Sequence, residues 1–248
     1  MDLYLPKGRD NFPVLHFVHG GAWIIGNKNQ VIPGIGAYRI LGQGFASRGI
    51  GVAISNYRLA PEHKHPAQIV DVSRAWAWLY HNISSYGGDS SNLFLMGQSS
   101  GGHLVSLLST DERYLNSLNI PIDSIKGTIT MSGVYDLETL GPVHWLRDDP
   151  SLFIQQIFGN DTETLKKASP SNYVNSELPA FMVLIAENDP IAIKRQAPPF
   201  VLNLHRNNVL YDFAIMKGKN HITSIGDVGR DDDATTDEIE FFIKSLIE

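Results

Sequence analysis

The stretch Leu93–Leu108, LFLMGQSSGGHLVSLL, runs from a short apolar segment through two serines flanked by glycines into a second apolar segment. Its first half is too short for a typical helix and shows no clean alternation, as expected of a strand buried on both faces. Its second half continues as a helix. A glycine-bounded turn between a strand and a helix is open to two readings, a tight structural turn or a serine presented as a nucleophile.

Working outward, short runs rich in branched and aromatic residues recur: VLHFVHG, IGVAISNYR, KGTITMSGV, AFMVLIAEND and YDFAIMKGK. Helix-length segments lie between them. In HPAQIVDVSRAWAWLYHNISSYG the residues Ile69, Val72, Trp76 and Leu79 recur at spacings of three and four, and Gly87 follows as a stop. RQAPPFVLNLHRNN and the tail TTDEIEFFIKSLIE read the same way. The alternation predicts an α/β fold, a mostly parallel central sheet with helices on both faces, in one domain over residues 1–248. Residues 134–174 break the rhythm with Pro, Gly and short helical patterns and no strand. They read as a cap-like insertion above the sheet.

Composition narrows the function classes. The 248 residues carry a formal net charge of −6 with both signs interspersed, so no basic face invites nucleic acid. Runs such as AFMVLIA fall well short of the roughly 20 apolar residues of a membrane span, and MDLYLPKGRD lacks the apolar segment of a leader. The expectation is a cytoplasmic protein without a membrane span. The absence of cysteine rules out thiolate nucleophiles, disulfides and cysteine-ligated zinc. No metal or other cofactor is expected, and oligomeric state is not legible.

Gly97-Gln98-Ser99-Ser100-Gly101 sets a glycine two residues to either side of Ser99. On such an elbow the serine projects at the carboxyl end of the sheet, and small neighbours let strand and helix approach. Serine needs a base to take its proton and a third group to orient that base. With the nucleophile here, acid and base are expected on later strand-ending loops. That order leaves His103, His144, His205 and His221. His103 opens the following helix, His144 lies in the insertion and His205 sits within a helix. His221 alone follows a strand in a polar loop, and it is the expected base. For the acid, Asp189 in the loop after AFMVLIA is favoured over Glu187, which sits closer to the strand end, and over Asp136, one strand earlier.

A carbonyl under attack also needs amide donors for its oxyanion. His19-Gly20-Gly21-Ala22-Trp23 follows the strand VLHFV, and the N–H groups of Gly21 and Ala22, with that of Ser100 at the start of a helix, are the expected donors. Trp23, Trp145 and Phe153 are candidates to line a substrate pocket. Arg58, Glu62, His63 and His65 cluster in NYRLAPEHKHPA, where ion pairing that fixes a loop is the expectation.

HGGAW, NYRLAPEHKHPA, GQSSGGH, ENDP and KNHITS stand in the order and approximate places of the motifs of hormone-sensitive-lipase-type esterases, and from Leu3 to Ile247 the chain resembles that group of α/β-hydrolases. Within it the chain is similar to small carboxylesterases, including feruloyl and acetyl-xylan esterase-like enzymes, and to kynurenine formamidases. The resemblance implies Ser99 as nucleophile, His221 as base, Asp189 as acid, and Gly21, Ala22 and Ser100 as the oxyanion hole. It implies hydrolysis of small carboxylic esters without a cofactor, with formamide cleavage or ligand binding without catalysis as alternatives. Two features depart from the group: Ala22 replaces the third glycine of HGGG, and the first strand of the usual sheet is short or missing.

Overall fold

Six of the seven residues of strand Phe12–Val18 are buried, and they divide between two separate cores. Val14 and Val18 point to one side of the sheet, Leu15 and Phe17 to the other. A strand that is apolar on both faces requires a layer above and a layer below it. The computed structural model, which describes residues 1–32, 36–140 and 150–247, supplies both.

The central sheet has seven strands: β1 (Asp2–Tyr4), β2 (Phe12–Val18), β3 (Gly51–Ser55), β4 (Gly88–Gln98), β5 (Ile125–Met131), β6 (Ala180–Asn188) and β7 (Tyr211–Asn220). Their spatial order is β1-β3-β2-β4-β5-β6-β7. Only β1 is antiparallel to its neighbour, with Leu3 opposite Ala53. The others run parallel, with Phe17 opposite Met96, Met96 opposite Ile129, Ile129 opposite Met182, and Leu184 opposite Ala214. Among the described residues one further pair, Val31–Ile32 with Gly36–Ala37, forms a small ribbon outside this sheet.

Helices α1 (Tyr38–Ser47), α2 (Ala67–Asn82), α3 (Ser100–Thr110), α4 (Pro150–Phe158), α5 (Ala197–Arg206) and α6 (Ala234–Ser245) complete the layers. Ile69, Val72, Trp76 and Leu79 of α2 are fully buried with Leu104, Leu107 and Leu108 of α3 on one face. Leu41 and Phe45 of α1 and Ile239, Phe242 and Ile243 of α6 cover the other. Phe200 and Leu204 of α5 pack on Phe181, Val183 and Ile185 of β6. Val183 is the partner of Thr130, so α5 lies on the α3 side. Among the described residues, no helix is long and apolar enough to cross a membrane.

The periodicity of α2 is realised as expected, and Gly87 takes the left-handed conformation that ends the segment, at φ 83°. Within 134–174 the described residues form α4, a short helix Thr162–Lys167 and a 3₁₀ turn Pro170–Tyr173, with no strand. Helix α1 was not anticipated, because Gly42 and Gly44 each lower helix propensity by about 1 kcal/mol relative to alanine. Packing explains both glycines. A Cβ at Gly44 would collide with the Gly229 carbonyl and one at Gly42 with the Tyr4 ring, so close approach outweighs propensity.

The same argument applies with more force at α3. A Cβ on Gly101 would overlap the carbonyl oxygens of Val18 and His19, both backbone atoms that no rotamer change can move. Gly101→Ala gains about 1 kcal/mol of helix propensity, whereas overpacking typically costs about 1–3 kcal/mol. Against a fixed backbone the steric cost is expected to win. Urea unfolding should show Gly101→Ala less stable than wild type, by up to about 2 kcal/mol on that difference.

Candidate active site

Between β4 and α3 the chain reverses at Ser99, whose φ of 57° and ψ of −119° fall in a region side chains rarely adopt. The neighbours permit it. Gly97 has no room for a Cβ beside Gly101, and the Ser99 N–H is held by the Met131 carbonyl at 2.9 Å. The hydroxyl emerges at the carboxyl end of the sheet, where the loops after β5, β6 and β7 also arrive.

His221, directly after β7, places Nε2 2.8 Å from Ser99 Oγ and Nδ1 2.7 Å from Asp189 Oδ1. A carboxylate only accepts, so Nδ1 carries the proton and Nε2 presents its lone pair to the serine hydroxyl. Asp189, just beyond β6, is orientated on its other oxygen: Oδ2 accepts from Ser132 Oγ at 2.7 Å and from the Ala186 N–H at 2.8 Å. The backbone around His221 is fixed as well. Its carbonyl accepts from Gln98 Nε2 at 2.8 Å and from Ser224 Oγ at 2.9 Å. Ser99, Asp189 and His221 are all buried to more than nine-tenths, so these bonds form in a medium that strengthens them.

The turn after β2 faces this group. Gly21, at φ 121°, has no space for a Cβ beside the Ile25 carbonyl, and its own oxygen accepts from Ile24 and Ile25 at 3.1 and 3.0 Å. Ala22 follows at φ 54°. Behind the turn His19 stacks on Tyr57 at 4.3 Å, and burial lowers its pKa. Gly21 and Ala22 share a cleft of about 140 Å³ with Ser99 and His221. Its apolar walls come from Ile24, Ile25, Tyr38, Ile222 and Ile225, with Gln30 at one side. Ser100 opens α3, where the first N–H groups lack partners within the helix.

The structure thus brings together Ser99, Asp189, His221, Gly21 and Ala22, with Ser100 adjoining. Two sequence candidates for pocket lining lie elsewhere. Trp23 and Phe153 are both 3% exposed and belong to the core beneath the cleft, because the turn at Ala22 and Trp23 directs the indole inward. Trp145, like His144, falls outside the described residues. Glu187 is turned outward, accepting from the Gly218 N–H at 2.7 Å, and the Asp136 carboxylate accepts from the Glu138 N–H. His205 is exposed on α5, whereas His103 is fully buried. Arg58 forms a two-pronged pair with Asp71 at 2.7 and 2.8 Å, and His63 stands 4.0 Å from Glu62. Sequence reading missed Ser132, Gln98 and the isoleucine walls. Ser132 stands next to a glycine at a strand end, a faint signal, and Gln98 carried none beyond its place in the elbow.

Chemically, a hydroxyl whose proton can pass to a carboxylate-held imidazole is an activated nucleophile. Amides at a helix start and a glycine turn favour negative charge beside it.

Comparison with known proteins gives the family. The BD-FAE family profile matches residues 1–204. The esterase LipQ of Mycobacterium tuberculosis is 33% identical over 217 residues, which take in 79% of this chain and 50% of that protein. A probable isoprenylcysteine alpha-carbonyl methylesterase ICMEL1 of Oryza sativa subsp. japonica is 32% identical over 236 residues, 89% of this chain and 53% of that one. The chain therefore spans about half the length of these curated relatives. Among solved structures, a truncated carbohydrate esterase from gut microbiota superposes with a TM-score of 0.80 at 21% identity, covering 98% of this chain and 89% of the other. A hyperthermophilic esterase from the archaeon Pyrobaculum calidifontis gives 0.77 at 22% identity, covering 98% and 79%. At these identities the structural likeness establishes the fold.

Removing one donor from a partly charged hydrogen-bond network costs about 1.5–3 kcal/mol in total, of which only a part is felt as Ser99 reacts. Ser132→Ala is expected to slow labelling of Ser99 by a fluorophosphonate about tenfold, as followed by intact-protein mass spectrometry.

Proposed function

Because the chain belongs to the BD-FAE family, we propose that it is a serine hydrolase of small carboxylic esters, working through a covalent acyl-enzyme. The observation that carries this reading is the continuous relay from Ser99 Oγ to His221 at 2.8 Å and from His221 to Asp189 at 2.7 Å. Relatives named as an esterase and a probable carboxylic ester hydrolase support it.

In the reaction so assigned, His221 Nε2 takes the Ser99 proton as Oγ bonds to the ester carbonyl carbon. The carbonyl π pair moves onto oxygen, where the N–H groups of Gly21, Ala22 and Ser100 receive it. Collapse of the tetrahedral intermediate breaks the carbon–oxygen bond to the alcohol, which leaves with the proton from His221. Water then attacks the acyl carbon, giving a proton to His221, and the second tetrahedral intermediate breaks its bond to Oγ, which takes that proton back as the acid is released. Asp189 keeps the proton on Nδ1 and stabilises the imidazolium. Nucleophile, base and oxyanion donors all come from the chain, so these steps call for no cofactor. Of the cap-like segment 134–174, the described residues Phe153, Ile157 and Phe158 pack into the core with Trp23, and none of the described ones lines the cleft.

The cleft beside Ser99 supports a small substrate. At about 140 Å³, with isoleucine on several sides, it matches a short acyl or alkoxy group. Turnover of p-nitrophenyl acetate, butyrate and octanoate should fall with acyl length, and Ser99→Ala should lower kcat by at least about 10⁴-fold. A clear preference for N-formylkynurenine in the same assay would reassign the site to formamide cleavage. Rates that Ser99→Ala leaves unchanged would reject both.

A further inference from the structure

His103 lies one helical turn beyond Ser99 and has no exposed surface, and no step of the reaction above uses it. Its ring nonetheless contacts Trp23 of the oxyanion turn, Phe158 of α4 and the Ala168 carbonyl. Trp23 Nε1–H donates to His103 Nδ1 at 3.1 Å. On the far side of the ring, His103 Nε2–H donates to the Ala168 carbonyl at 2.7 Å. The indole N–H can only donate and the carbonyl can only accept, so the two partners together require the neutral imidazole with its proton on Nε2. Burial lowers the pKa of His103 to about 3, which keeps that form across the working range. Both ring nitrogens are thereby occupied, which removes His103 as a rival base.

The turn needs such a hold. Gly21, Ala22 and Trp23 stand in succession at φ 121°, 54° and 62°, a run in which the alanine and the tryptophan occupy a region suited to glycine. Local bonds from Ile24 and Ile25 to the Gly21 carbonyl close the turn without fixing its direction relative to Ser99. Three contacts of Trp23 do fix it: the bond to His103, the bond from the Ala60 N–H to its carbonyl at 2.9 Å, and edge-on packing against Phe158 at 5.2 Å. Of these, only the bond to His103 leads directly to the helix that begins at Ser100.

We propose that His103 is a positioning residue for the oxyanion hole, its bond from Trp23 tying the turn that carries the Gly21 and Ala22 amides to the helix behind the nucleophile, while its bond to Ala168 fixes the tautomer that accepts from Trp23. The inference rests on the ester-hydrolase reading. Its consequence is that the amide donors are set by a bond outside the reacting groups. Loosening that bond harms the transition state, in which the oxyanion is charged, more than it harms substrate binding.

The two bonds of His103 can be separated by choice of amide. In His103→Asn the Oδ1 atom stands near the former Nδ1 and can still accept from Trp23, while the link to Ala168 is lost. In His103→Gln the Nε2 group can still reach Ala168, while the acceptor for Trp23 is lost. Trp23→Phe keeps an aromatic ring but removes the donor together with the pyrrole half of the indole. All three are assayed with p-nitrophenyl acetate after circular dichroism and melting have shown that each variant folds, beside wild type and Ser99→Ala. A displacement of catalytic groups of about 1 Å can cost on the order of 10²-fold in rate. His103→Gln and Trp23→Phe are expected to lose about 10- to 100-fold in kcat with KM changed less than about threefold, and to bind a trifluoromethyl ketone inhibitor correspondingly weakly. His103→Asn is expected to recover most of that loss. If His103→Gln or Trp23→Phe keeps kcat within about twofold of wild type while Ser99→Ala abolishes turnover, the positioning role is refuted and the hydrolase reading stands. Equal losses in His103→Asn and His103→Gln would also refute it, since the role would then be packing alone. Should the His103 variants fail to fold, Trp23→Phe decides by itself. Turnover insensitive to Ser99→Ala would overturn the hydrolase reading and this inference with it.

Discussion

The site depends on how closely helix α3 approaches the strands it crosses. At Gly97 and Gly101 the backbones are near enough that a Cβ would meet main-chain atoms, and at Gly102 one would stand 3.0 Å from the Gly133 Cα. This proximity forces the chain to reverse within one residue, and that residue is Ser99. Its unfavourable backbone is over-determined by the packing on either side. The start of α3 then points its unpaired amides toward the same spot as the serine hydroxyl. A looser strand–helix junction would leave Ser99 an ordinary residue of a longer loop.

Parallel strands do the rest. β4, β5, β6 and β7 are successive neighbours in the sheet, and each delivers one member of the polar group at its carboxyl end: Ser99, Ser132, Asp189 and His221. Residues separated by 122 positions in the chain thus meet within hydrogen-bond distance. Because the strands are held in register by their neighbours, the geometry of the relay is set by the sheet. β2, on the other side of β4, brings the turn of Gly21 and Ala22 to the same edge.

Below the cleft lies a second layer in which buried histidines pack against aromatic rings, His103 with both ring nitrogens hydrogen-bonded and His16 held through Nε2 to Ser55. His103 contacts Trp23 and Phe158 edge to face, at 5.1 and 5.7 Å, and His65 stands 5.3 Å from Phe158. Burial pushes His65 down to about 4 and His103 to about 3, so both remain neutral there. On the same face, burial lowers His16 of β2 to about 3 beside Trp76. A neutral imidazole can join a donor to an acceptor at a cost in desolvation far below that of a charged group. The aromatic residues that looked suited to meeting a substrate, Trp23 and Phe153, belong to this layer.

The amino-acid sequence by itself determined the alternation of strands and helices, the elbow at Ser99, and the succession of Ser99, Asp189 and His221 on strand-ending loops. All of these are written in short-range patterns: apolar runs without alternation, glycines two residues from a serine, and polar loops after strands. The tertiary structure decided what depends on contacts between distant segments. Helix α1 exists despite two glycines because its neighbours leave no room for side chains. Asp189 is orientated by Ser132 and His221 is braced by Gln98, across 57 and 123 positions, distances over which spacing carries no information. The direction of Trp23 followed from three positive φ angles in succession, a backbone choice that only the packing around the turn could impose.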